Sequence, residues 1–533
     1  MSEGPRVRRL WIPIAIIGVF VATTAALMAW PDLERGQRAG TMVFMVVPLT
    51  VLLLTVWLLF LSGMRWPIRI GVLVGVVALV GATIRGVEFE GDMVPIVHYR
   101  WEPRKDLRLE AHRAGKPKVT LRAEPIPPAT SEDFPEYRNR NRDGVLTVTM
   151  PGQERFNTEP FLITKWAPVP PRQIWRQPCG GGYAGFAVVG RFAVTIEQRG
   201  DDEAVVCYDT ATAHERWVHN YPAHFSEPLG GDGPRATPTI ADGDVYSLGG
   251  KGMLKRLDGA TGSVKWETDI LADNDNIQWG MSGSPLVYDR FVVVNPGAQR
   301  ETARGRAVVA YDRATGKPLW SGGARRAGYS SPQLATLCGI RQVLLLDGEG
   351  ISGYDPETGR EFWGFPWATY QYINVAQPIV LDGDRVFVTS GYNHGCAMIK
   401  VAKDGEKWTV ETLWENRNMR CKFTSPVRHK GFLYGMDEGI LTCVDAQDGT
   451  RKWKDGRFGN GQLLLAGDYL LIGDEAGKLL LVRATPEGYK EVGRVAGALP
   501  DTKNWNHLTF ARGCAFLRNH FEMVCYALTD SFD

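Results

Sequence analysis

The stretch Ala310-Tyr-Asp312-Arg-Ala-Thr-Gly316-Lys-Pro-Leu-Trp320 decides the fold of this 533-residue chain, because its pattern recurs. The pattern is an Asp, a Gly four residues later and a Trp four residues after the Gly. Close copies carry Asp258, Gly262 and Trp266; Asp312, Gly316 and Trp320; and Asp355, Gly359 and Trp363. Weaker copies end at Trp217 and Trp453, and a sixth keeps only Trp414. Such a repeat predicts a stack or ring of similar structural units.

Each copy has the composition of a strand, a tight turn and a second strand. The apolar run before the Asp, such as Ala307–Tyr311, is typical of a buried or half-buried strand. Asp and Thr side chains can hydrogen-bond the backbone of a turn, and Gly adopts a positive φ without steric cost. The second strand ends on Trp, whose large apolar face can pack against a neighbouring unit. One unit cannot bury both of its faces, so we expect the units to pack together.

A second marker, a Pro that follows Thr, Ser or Gln, recurs in step with the first. It falls at Pro238, Pro285, Pro332, Pro378 and Pro426, at intervals of 46 to 48 residues. Each period holds about four strands, the content of one propeller blade. Counting final strands from Trp175 to Val495 gives eight blades. The chain end, residues 508–528, lacks a final strand. We therefore predict that the strand ending at Trp175 completes the last blade and closes the ring, which removes exposed strand edges.

These residues resemble the repeat of PQQ-type, or quinoprotein-like, β-propellers, which runs Ala-x-Asp-x-x-Thr-Gly-x-x-x-Trp. Ala310 to Trp320 fits that pattern in full, and the other copies replace the Ala. The resemblance implies an all-β, eight-bladed β-propeller over residues 165–533. It makes the chain similar to the propeller lipoproteins that assist outer-membrane protein assembly. The name of the repeat does not imply the quinone cofactor.

Residues 1–86 predict an α-helical membrane anchor. Largely apolar runs lie at about residues 10–30, 41–62 and 68–84, and a helix needs about 20 residues to cross a bilayer. The two later runs argue that the first is a retained span rather than a signal peptide, and a core helix is the alternative for the short third run. Arg6, Arg8 and Arg9 precede the first run, and Arg65 and Arg69 stand at the entry to the third. They favour a cytoplasmic N-terminus, so three spans would place the propeller on the extracytoplasmic, periplasmic side.

Residues 87–164 form the predicted linker. The stretch from Arg100 to Arg122 holds eight Lys and Arg, and a charged run follows from Glu136 to Arg142. Nucleic-acid binding would require a recognisable module beside this charge, so we predict no nucleic-acid partner. We expect the linker to be solvated and to lie near lipid headgroups. The overall charge of +2 implies no acidic partner.

The eight cysteines include no Cys-x-x-Cys pair, so the sequence indicates neither a zinc site nor a thioredoxin-like site. One pair could form a bridge. If Asn519 and His520 form a two-residue turn, Cys514 and Cys525 face each other across a hairpin. They are then either a disulfide, which an oxidising compartment would permit, or two buried thiols.

The candidate binding residues lie in the loops that lead into the first strand of each blade. In a propeller these strands line the central channel and the loops ring one of its mouths. The loops offer Arg235, Trp279, Tyr329, Asn374, Lys422 and His507. Converging cationic, aromatic and amide groups suit an anionic or peptide ligand. The alternative is that they satisfy buried backbone groups between blades, and the sequence indicates no catalytic residue.

Two function classes compete. In the first, the propeller is a non-catalytic scaffold that needs no cofactor and binds envelope proteins or polymers at the membrane. In the second, it is a PQQ-dependent dehydrogenase of alcohols or sugars. Enzymes of that kind carry an adjacent Cys-Cys pair, a Glu/Asn/Asp calcium site and a catalytic Asp. This chain has no adjacent cysteines, and no calcium site can be matched, which favours the scaffold. Membrane-bound glucose dehydrogenases also join a multi-span anchor to a propeller, which keeps PQQ and calcium open as the alternative.

A third class, ligand sensing through the spans, has only nine residues before Leu10 for a cytoplasmic output.

Overall fold

The computed structural model describes residues 11–30, 38, 40–89, 95–102, 105–116, 122–146, 166, 170–500 and 502–529. The chain divides into two compact units. The first comprises residues 1–107 with 226–231, and the second comprises residues 108–225 with 232–533.

The first unit contains three apolar helices, α1 (Trp11–Ala29), α2 (Met42–Leu61) and α3 (Trp66–Thr83). They coincide with the three predicted spans, and Leu10 lies outside the described residues. Helices of 18 to 20 residues are about 27 to 30 Å long, close to the thickness of a bilayer's hydrocarbon core. Because α3 buries none of its side chains, it is not a core helix. All three helices are long and apolar enough to cross a membrane.

Two further elements follow the helices along the chain. An antiparallel hairpin of β1 (Ile84–Phe89) and β2 (Pro95–Tyr99) comes directly after α3. The next element is α4 (Lys105–Gly115). Within the second unit, Arg108 of α4 pairs with Glu522 at 2.9 Å and Arg113 pairs with Glu215 at 3.2 Å. The C-terminal part of α4 therefore packs against the outer strands of the second unit.

The second unit is an eight-bladed β-propeller, and each blade has four antiparallel strands that run from the central channel outward. Blade 1 comprises Ala187–Val189, Phe192–Arg199, Asp202–Asp209 and Glu215–Pro222. Blade 2 comprises Thr239–Ala241, Asp244–Leu248, Met253–Asp258 and Val264–Asp269. Blade 3 comprises Leu286–Tyr288, Phe291–Val294, Val308–Asp312 and Pro318–Gly322. Blade 4 comprises Gln333–Leu337, Ile340–Leu346, Gly350–Tyr354 and Glu361–Pro366.

The remaining blades follow the same order. Blade 5 comprises Ile379–Leu381, Arg385–Ser390, Gly395–Asp404 and Lys407–Asn416. Blade 6 comprises Val427–His429, Phe432–Asp437, Ile440–Asp445 and Arg451–Arg457. Blade 7 comprises Gln462–Ala466, Tyr469–Gly473, Leu479–Arg483 and Glu491–Val495. Blade 8 comprises Thr509–Ala511, Cys514–Arg518, Glu522–Ala527 and Arg172–Pro178. Short 3₁₀ helices lie at Glu301–Ala303 and Tyr370–Tyr372.

Blade 8 closes the ring as predicted. Its outer strand, Arg172–Pro178, precedes blade 1 in the chain, and it pairs antiparallel with the last strand of the chain, Glu522–Ala527. Trp175 lies opposite Cys525 in this pairing, as Trp320 lies opposite Ala310 in blade 3. The two ends of the propeller are thus joined by backbone hydrogen bonds.

The repeated Trp packs on the repeated Gly of the next blade. Gly316 of blade 3 has a φ of +72°, and a Cβ there would lie 2.7 Å from the ring of Trp266 in blade 2. The Trp266 Nε1 donates to the carbonyl of Arg313 in the same turn, at 2.9 Å. Asp312 holds that turn by accepting from the backbone N–H and the hydroxyl of Thr315. The same Trp–Gly contact joins Trp217 to Gly262, Trp320 to Gly359 and Trp414 to Gly449.

Blade 5 lacks the Asp-Thr-Gly turn, and this changes the partner of the Trp in blade 4. Its outer two strands, Gly395–Asp404 and Lys407–Asn416, form a long hairpin of ten residues each in place of the Asp-Thr-Gly turn. Trp363 of blade 4 then has no Gly of blade 5 to pack on, and its Nε1 donates to Gln342 Oε1 of its own blade at 2.7 Å. The partner of the Trp therefore depends on the turn of the following blade.

The hairpin that carries Cys514 and Cys525 has a different register from the one expected. Arg518 lies opposite Met523, so the turn falls at residues 520–521 rather than at Asn519 and His520. Cys525 therefore lies opposite Phe516, and Cys514 and Cys525 are both free, buried thiols. The shift arises because Asn519 pairs with Glu522 and its side chain accepts from the backbone N–H groups of residues 521 and 522.

We expect Gly316→Ala to destabilise the propeller more than Gly383→Ala. Both glycines have positive φ, +72° and +75°, but a Cβ at Gly383 meets nothing within 4 Å. Both variants carry a backbone penalty of about 1–2 kcal/mol, and only Gly316→Ala adds overpacking, typically about 1–3 kcal/mol. Thermal unfolding of the purified full-length protein, followed by circular dichroism, measures the difference. Equal shifts in the two variants would show that the Trp266 contact contributes nothing.

Candidate functional site

The central channel has two differently built mouths. The first strand of each blade begins at the loop mouth, which is formed by the loops arriving from the preceding blade. It ends at the turn mouth, which is formed by the turns between first and second strands. All of the candidate residues from the sequence lie in loops of the first kind, so the loop mouth is the predicted binding site.

Residues 134–146, here called the channel plug, occupy the channel from the turn mouth. Phe134 forms a bridge with Val188 of blade 1 through hydrogen bonds of 2.9 and 2.7 Å. The N–H of Ile240 in blade 2 donates to the carbonyl of Pro135 in the plug at 2.8 Å. At its other end, Val145–Leu146 adds a parallel strand to the innermost strand of blade 7. The plug is thus bonded to the ring by its backbone at both ends.

Arg142 of the plug is 1% exposed and donates hydrogen bonds to backbone carbonyl groups of two blades. Its guanidinium donates to Ser284 at 2.9 Å and Pro285 at 2.6 Å in blade 3, and to Pro332 at 2.8 Å in blade 4. Its Nε donates to Glu136 Oε2 at 2.8 Å. Burial raises the pKa of Glu136, and the charge of Arg142 opposes that rise. The Pro markers of the sequence therefore supply carbonyl ligands for a buried guanidinium.

Arg138 performs the same task on the opposite side of the channel. It is 2% exposed, and its guanidinium donates to Pro426 at 2.6 Å, to Ser425 at 3.3 Å and to Leu463 at 3.3 Å. These carbonyls belong to blades 6 and 7. A planar guanidinium can bond several acceptors at once, so two arginines bond the innermost backbone of four blades.

This geometry corrects the expectation of a solvated linker for the charged run from Glu136 to Arg142. Arg138, Asn139 and Arg142 are buried, and all three have positive φ, between 53° and 67°. Residues other than Gly rarely adopt this backbone conformation, because it costs about 1–2 kcal/mol per residue. The hydrogen bonds to the channel wall hold the segment in this conformation.

His507 lies inside the channel against the plug. Its ring meets that of Tyr137 edge to face, with centroids 4.5 Å apart. Burial, with a smaller contribution from Arg138, lowers the pKa of His507 to about 3. The imidazole is therefore neutral at physiological pH and does not present a positive charge to a ligand.

Asn374 is fully buried and satisfies backbone groups. Its Nδ2 donates to the carbonyls of Asp347 at 2.8 Å and Trp367 at 2.7 Å, and its Oδ1 accepts from Ser390 at 2.7 Å. The alternative considered for the candidate residues, the satisfaction of buried backbone groups, describes this residue.

The other four candidates lie at the loop mouth with aromatic partners. The rings of Trp279 and Tyr329 are 5.8 Å apart. Arg235 places its guanidinium 4.6 Å from the ring of Phe225 and 5.3 Å from that of Tyr183. Lys422 places its ammonium 5.0 Å from the ring of Phe423 and 5.2 Å from that of Tyr392. The structure thus pairs Trp279 with Tyr329, whose N–H also donates to the carbonyl of Asn374 at 2.7 Å, whereas Arg235 and Lys422 each pair with rings outside the candidate set.

A continuous set of rings, here called the aromatic arc, connects Tyr183, Trp505, Phe423 and Tyr392. Centroid distances along it are 5.5, 4.7 and 6.3 Å. Lys503 places its ammonium 5.2 Å from Trp505, so cations accompany the arc at three places. Sequence analysis missed the arc, although Phe423 directly follows Lys422 and Trp505 lies two residues before His507. Tyr183, Arg235 and Lys503 are buried, whereas Trp505, Phe423, Tyr392 and Lys422 are partly exposed. The partly exposed rings can stack on planar or apolar groups, and Lys422 can attract anionic ones.

The described residues do not fit a calcium-dependent quinone. Among them no group of three or more His, Cys, Asp and Glu side chains could hold a metal ion. The plug arginines and Tyr137 also occupy the channel interior.

Comparison with known proteins gives the family. The family model described as "Outer membrane protein assembly factor BamB" matches residues 169–294 and 273–455, more than half of the chain. This chain belongs to that family of PQQ-like propellers. No curated protein sequence matches the chain.

One solved structure shares the fold at a TM-score of 0.50. BamB from Moraxella catarrhalis aligns with a TM-score of 0.50 at 16% identity, covering 68% of this chain and 99% of that one. The quinohemoprotein alcohol dehydrogenase ADHIIG from Pseudomonas putida HK5 aligns with a TM-score of 0.47 at 13% identity, covering 76% and 81%. At such identities the likeness concerns the fold alone.

We expect Arg142→Met to destabilise the protein by about 3–5 kcal/mol, the usual effect of removing one partner of a buried ion pair. It leaves Glu136 and three carbonyls without the guanidinium. Arg140→Met is the matched control, because Arg140 is exposed two residues away. Thermal unfolding of the full-length variants measures both. The double variant Glu136→Gln with Arg142→Met should recover part of the loss, and a stability of Arg142→Met equal to that of Arg140→Met would contradict the role given to the plug.

We expect a pH-dependent contribution from Asp347, which lies in blade 4 beside Asn374. Burial raises the pKa of this carboxyl to about 7, opposed by Arg325. Between the ordinary pKa and about 7 the folded state holds a proton that the unfolded state has lost, so stability falls as pH rises through this window. Asp347→Asn removes the titration. The wild type should therefore lose about 1–3 kcal/mol relative to this variant between pH 5 and pH 8.5. A pH-independent difference in unfolding temperature would refute the prediction.

Proposed function

We propose that this protein is a non-catalytic scaffold of the cell envelope, held at a membrane by α1–α3, whose propeller binds protein or polymer partners at the loop mouth. The observation that carries the proposal is the channel plug. It fills the channel interior with Arg138 and Arg142, so that ligands have access to the surface of the loop mouth rather than to a deep central pocket.

The loop mouth has the side chains of a binding surface. Tyr370 is 72% exposed and Tyr372 is 36% exposed in the loop between blades 4 and 5, where Gln371 and Tyr372 both have positive φ. Tyr and Trp are enriched at protein interfaces because they bury large area at low entropic cost. The partly exposed rings of the aromatic arc, Trp505, Phe423 and Tyr392, and the ammonium of Lys422 extend the same kind of surface over neighbouring blades.

The charge of the sequence supports an extracytoplasmic propeller. Arg6, Arg8 and Arg9 precede α1 in the sequence, Arg65 lies between α2 and α3, and an excess of Arg on one side of a membrane favours the cytoplasm for that side. Three spans would then put the propeller on the periplasmic side. Family membership supports an envelope location and protein partners, because the matching family model is described as an outer membrane protein assembly factor.

Quinone binding is tested directly on the purified full-length protein. Pyrroloquinoline quinone and calcium are titrated while quinone absorbance and the reduction of an artificial dye are followed with a panel of alcohols and sugars. We expect neither stoichiometric binding nor substrate-dependent dye reduction. Both together would replace the scaffold by a quinoprotein dehydrogenase.

Partner binding is tested by placing a photo-crosslinking residue, p-benzoylphenylalanine, at Tyr370 or at Trp279 in cells. The matched control position is Thr315, an exposed residue of a turn at the opposite end of the blades. We expect discrete crosslinks to envelope proteins from the two loop-mouth positions and none from Thr315. Crosslinks from Thr315 alone would move the interface to the turn mouth and refute the proposed surface.

A further inference from the structure

Aromatic residues mark the ends of two helices in the first unit. Trp11 begins α1, Trp30 follows its end and Trp66 begins α3, and these side chains are 69%, 57% and 55% exposed. Trp and Tyr are enriched at both surfaces of a bilayer, where their rings lie at the level of the headgroups. The last turn of α3, residues 80–83, contains no aromatic residue.

The β1–β2 hairpin brings an aromatic pair to that end of α3. The backbone N–H of Arg100 donates to the carbonyl of Thr83 at 2.9 Å, and its Nε donates to that of Gly81 at 2.8 Å. Arg100 thus satisfies two carbonyls of the last helical turn, which have no partner within the helix. The residues on either side, Tyr99 and Trp101, stack with ring centroids 4.7 Å apart and planes 9° apart.

The stack is exposed, and polar groups lie beside it. Trp101 is 67% exposed and Tyr99 is 37% exposed. Glu102 Oε2 accepts from the N–H of Tyr99 at 3.1 Å, and the Glu102 carbonyl accepts from Arg85 at 2.9 Å. An apolar stack bordered by charged groups matches the boundary between acyl chains and headgroups.

The hairpin also requires stabilisation from outside itself. An isolated two-stranded hairpin is at best marginally stable in water. Its bonds to the last turn of α3 fix it at the level where the apolar surface of that helix ends, and a bilayer surface would lie at this level.

We propose that the strands Ile84–Phe89 and Pro95–Tyr99, with residues 100–102, form a membrane-surface element, and that the Tyr99–Trp101 stack inserts between lipid headgroups at the end of α3. The partner is the lipid surface itself. The proposal rests on the proposed crossing of a bilayer by α3, and the stack supplies the interfacial aromatic group that the last turn of α3 lacks.

The test measures depth in the bilayer by electron paramagnetic resonance. The full-length protein with Trp101→Cys is labelled with a nitroxide and reconstituted into vesicles of phosphatidylcholine and phosphatidylglycerol. Its accessibility to oxygen, which concentrates in the bilayer, is compared with accessibility to a water-soluble nickel chelate. Labels at Val74→Cys, in the middle of α3, and at Glu406→Cys, an exposed turn of blade 5, serve as lipid and aqueous references. Unsubstituted protein treated with the same label gives the background from the native cysteines.

We expect the oxygen-to-nickel ratio at position 101 to lie severalfold above that at position 406 and severalfold below that at position 74. A ratio equal to that at position 406 overturns the membrane-surface element. Low accessibility to both reagents also overturns it, because a protein partner would then cover the stack. An aqueous ratio at position 74 would instead refute the span on which the proposal rests, and so separates the two failures.

Discussion

The contact between a Trp of one blade and a Gly of the next is the interaction on which the rest of the propeller depends. The indole lies against the turn where a Cβ would stand 2.4 to 2.7 Å from the ring, and its Nε1 bonds a carbonyl of that turn in most blades. This contact fixes the spacing at four of the eight interfaces between blades, those of Trp217, Trp266, Trp320 and Trp414. Trp175 and Trp453 keep only the bond from Nε1 to a carbonyl of the next blade. Trp363 donates within its own blade, because blade 5 replaces the turn by a long hairpin.

The ring leaves backbone carbonyl groups in its channel that need hydrogen-bond donors, and the plug supplies them. The innermost strands turn carbonyl groups towards the channel, and Pro285, Pro332 and Pro426 carry no N–H that could pair with them. Acceptors gathered in a confined space need donors. Arg138 and Arg142 supply donors to blades 3, 4, 6 and 7, and Val145–Leu146 pairs with an innermost strand of blade 7. The plug is therefore part of the folded propeller, although it precedes the first repeat in the chain.

The sequence predicted what repetition determines. The eight blades and the role of Trp175 in the closing strand follow from the repeat period, the three apolar helices follow from the length of continuous apolar runs, and the structure contains them all. It could not predict the plug, because the run from Glu136 to Arg142 has the composition of a solvated segment and its burial depends on acceptors supplied by distant blades. The aromatic arc was missed for the same reason, since Phe423 and Trp505 meet only after the ring has closed. At the Cys514–Cys525 hairpin, the side chain of Asn519 selected one of two neighbouring turns.

Family membership therefore predicts the architecture of the propeller but not the chemistry of its channel or loops. The repeat that gives the family its quinone name acts here through Trp, Gly and Asp residues that lie in the outer strands and turns, far from the channel axis. The channel itself is lined by the innermost strands, and the chain fills it with its own guanidinium groups. Under the proposed function, the ring holds its loops in a fixed arrangement, and binding depends on loop residues such as Trp279, Tyr329 and Tyr370, which lie outside the repeated pattern.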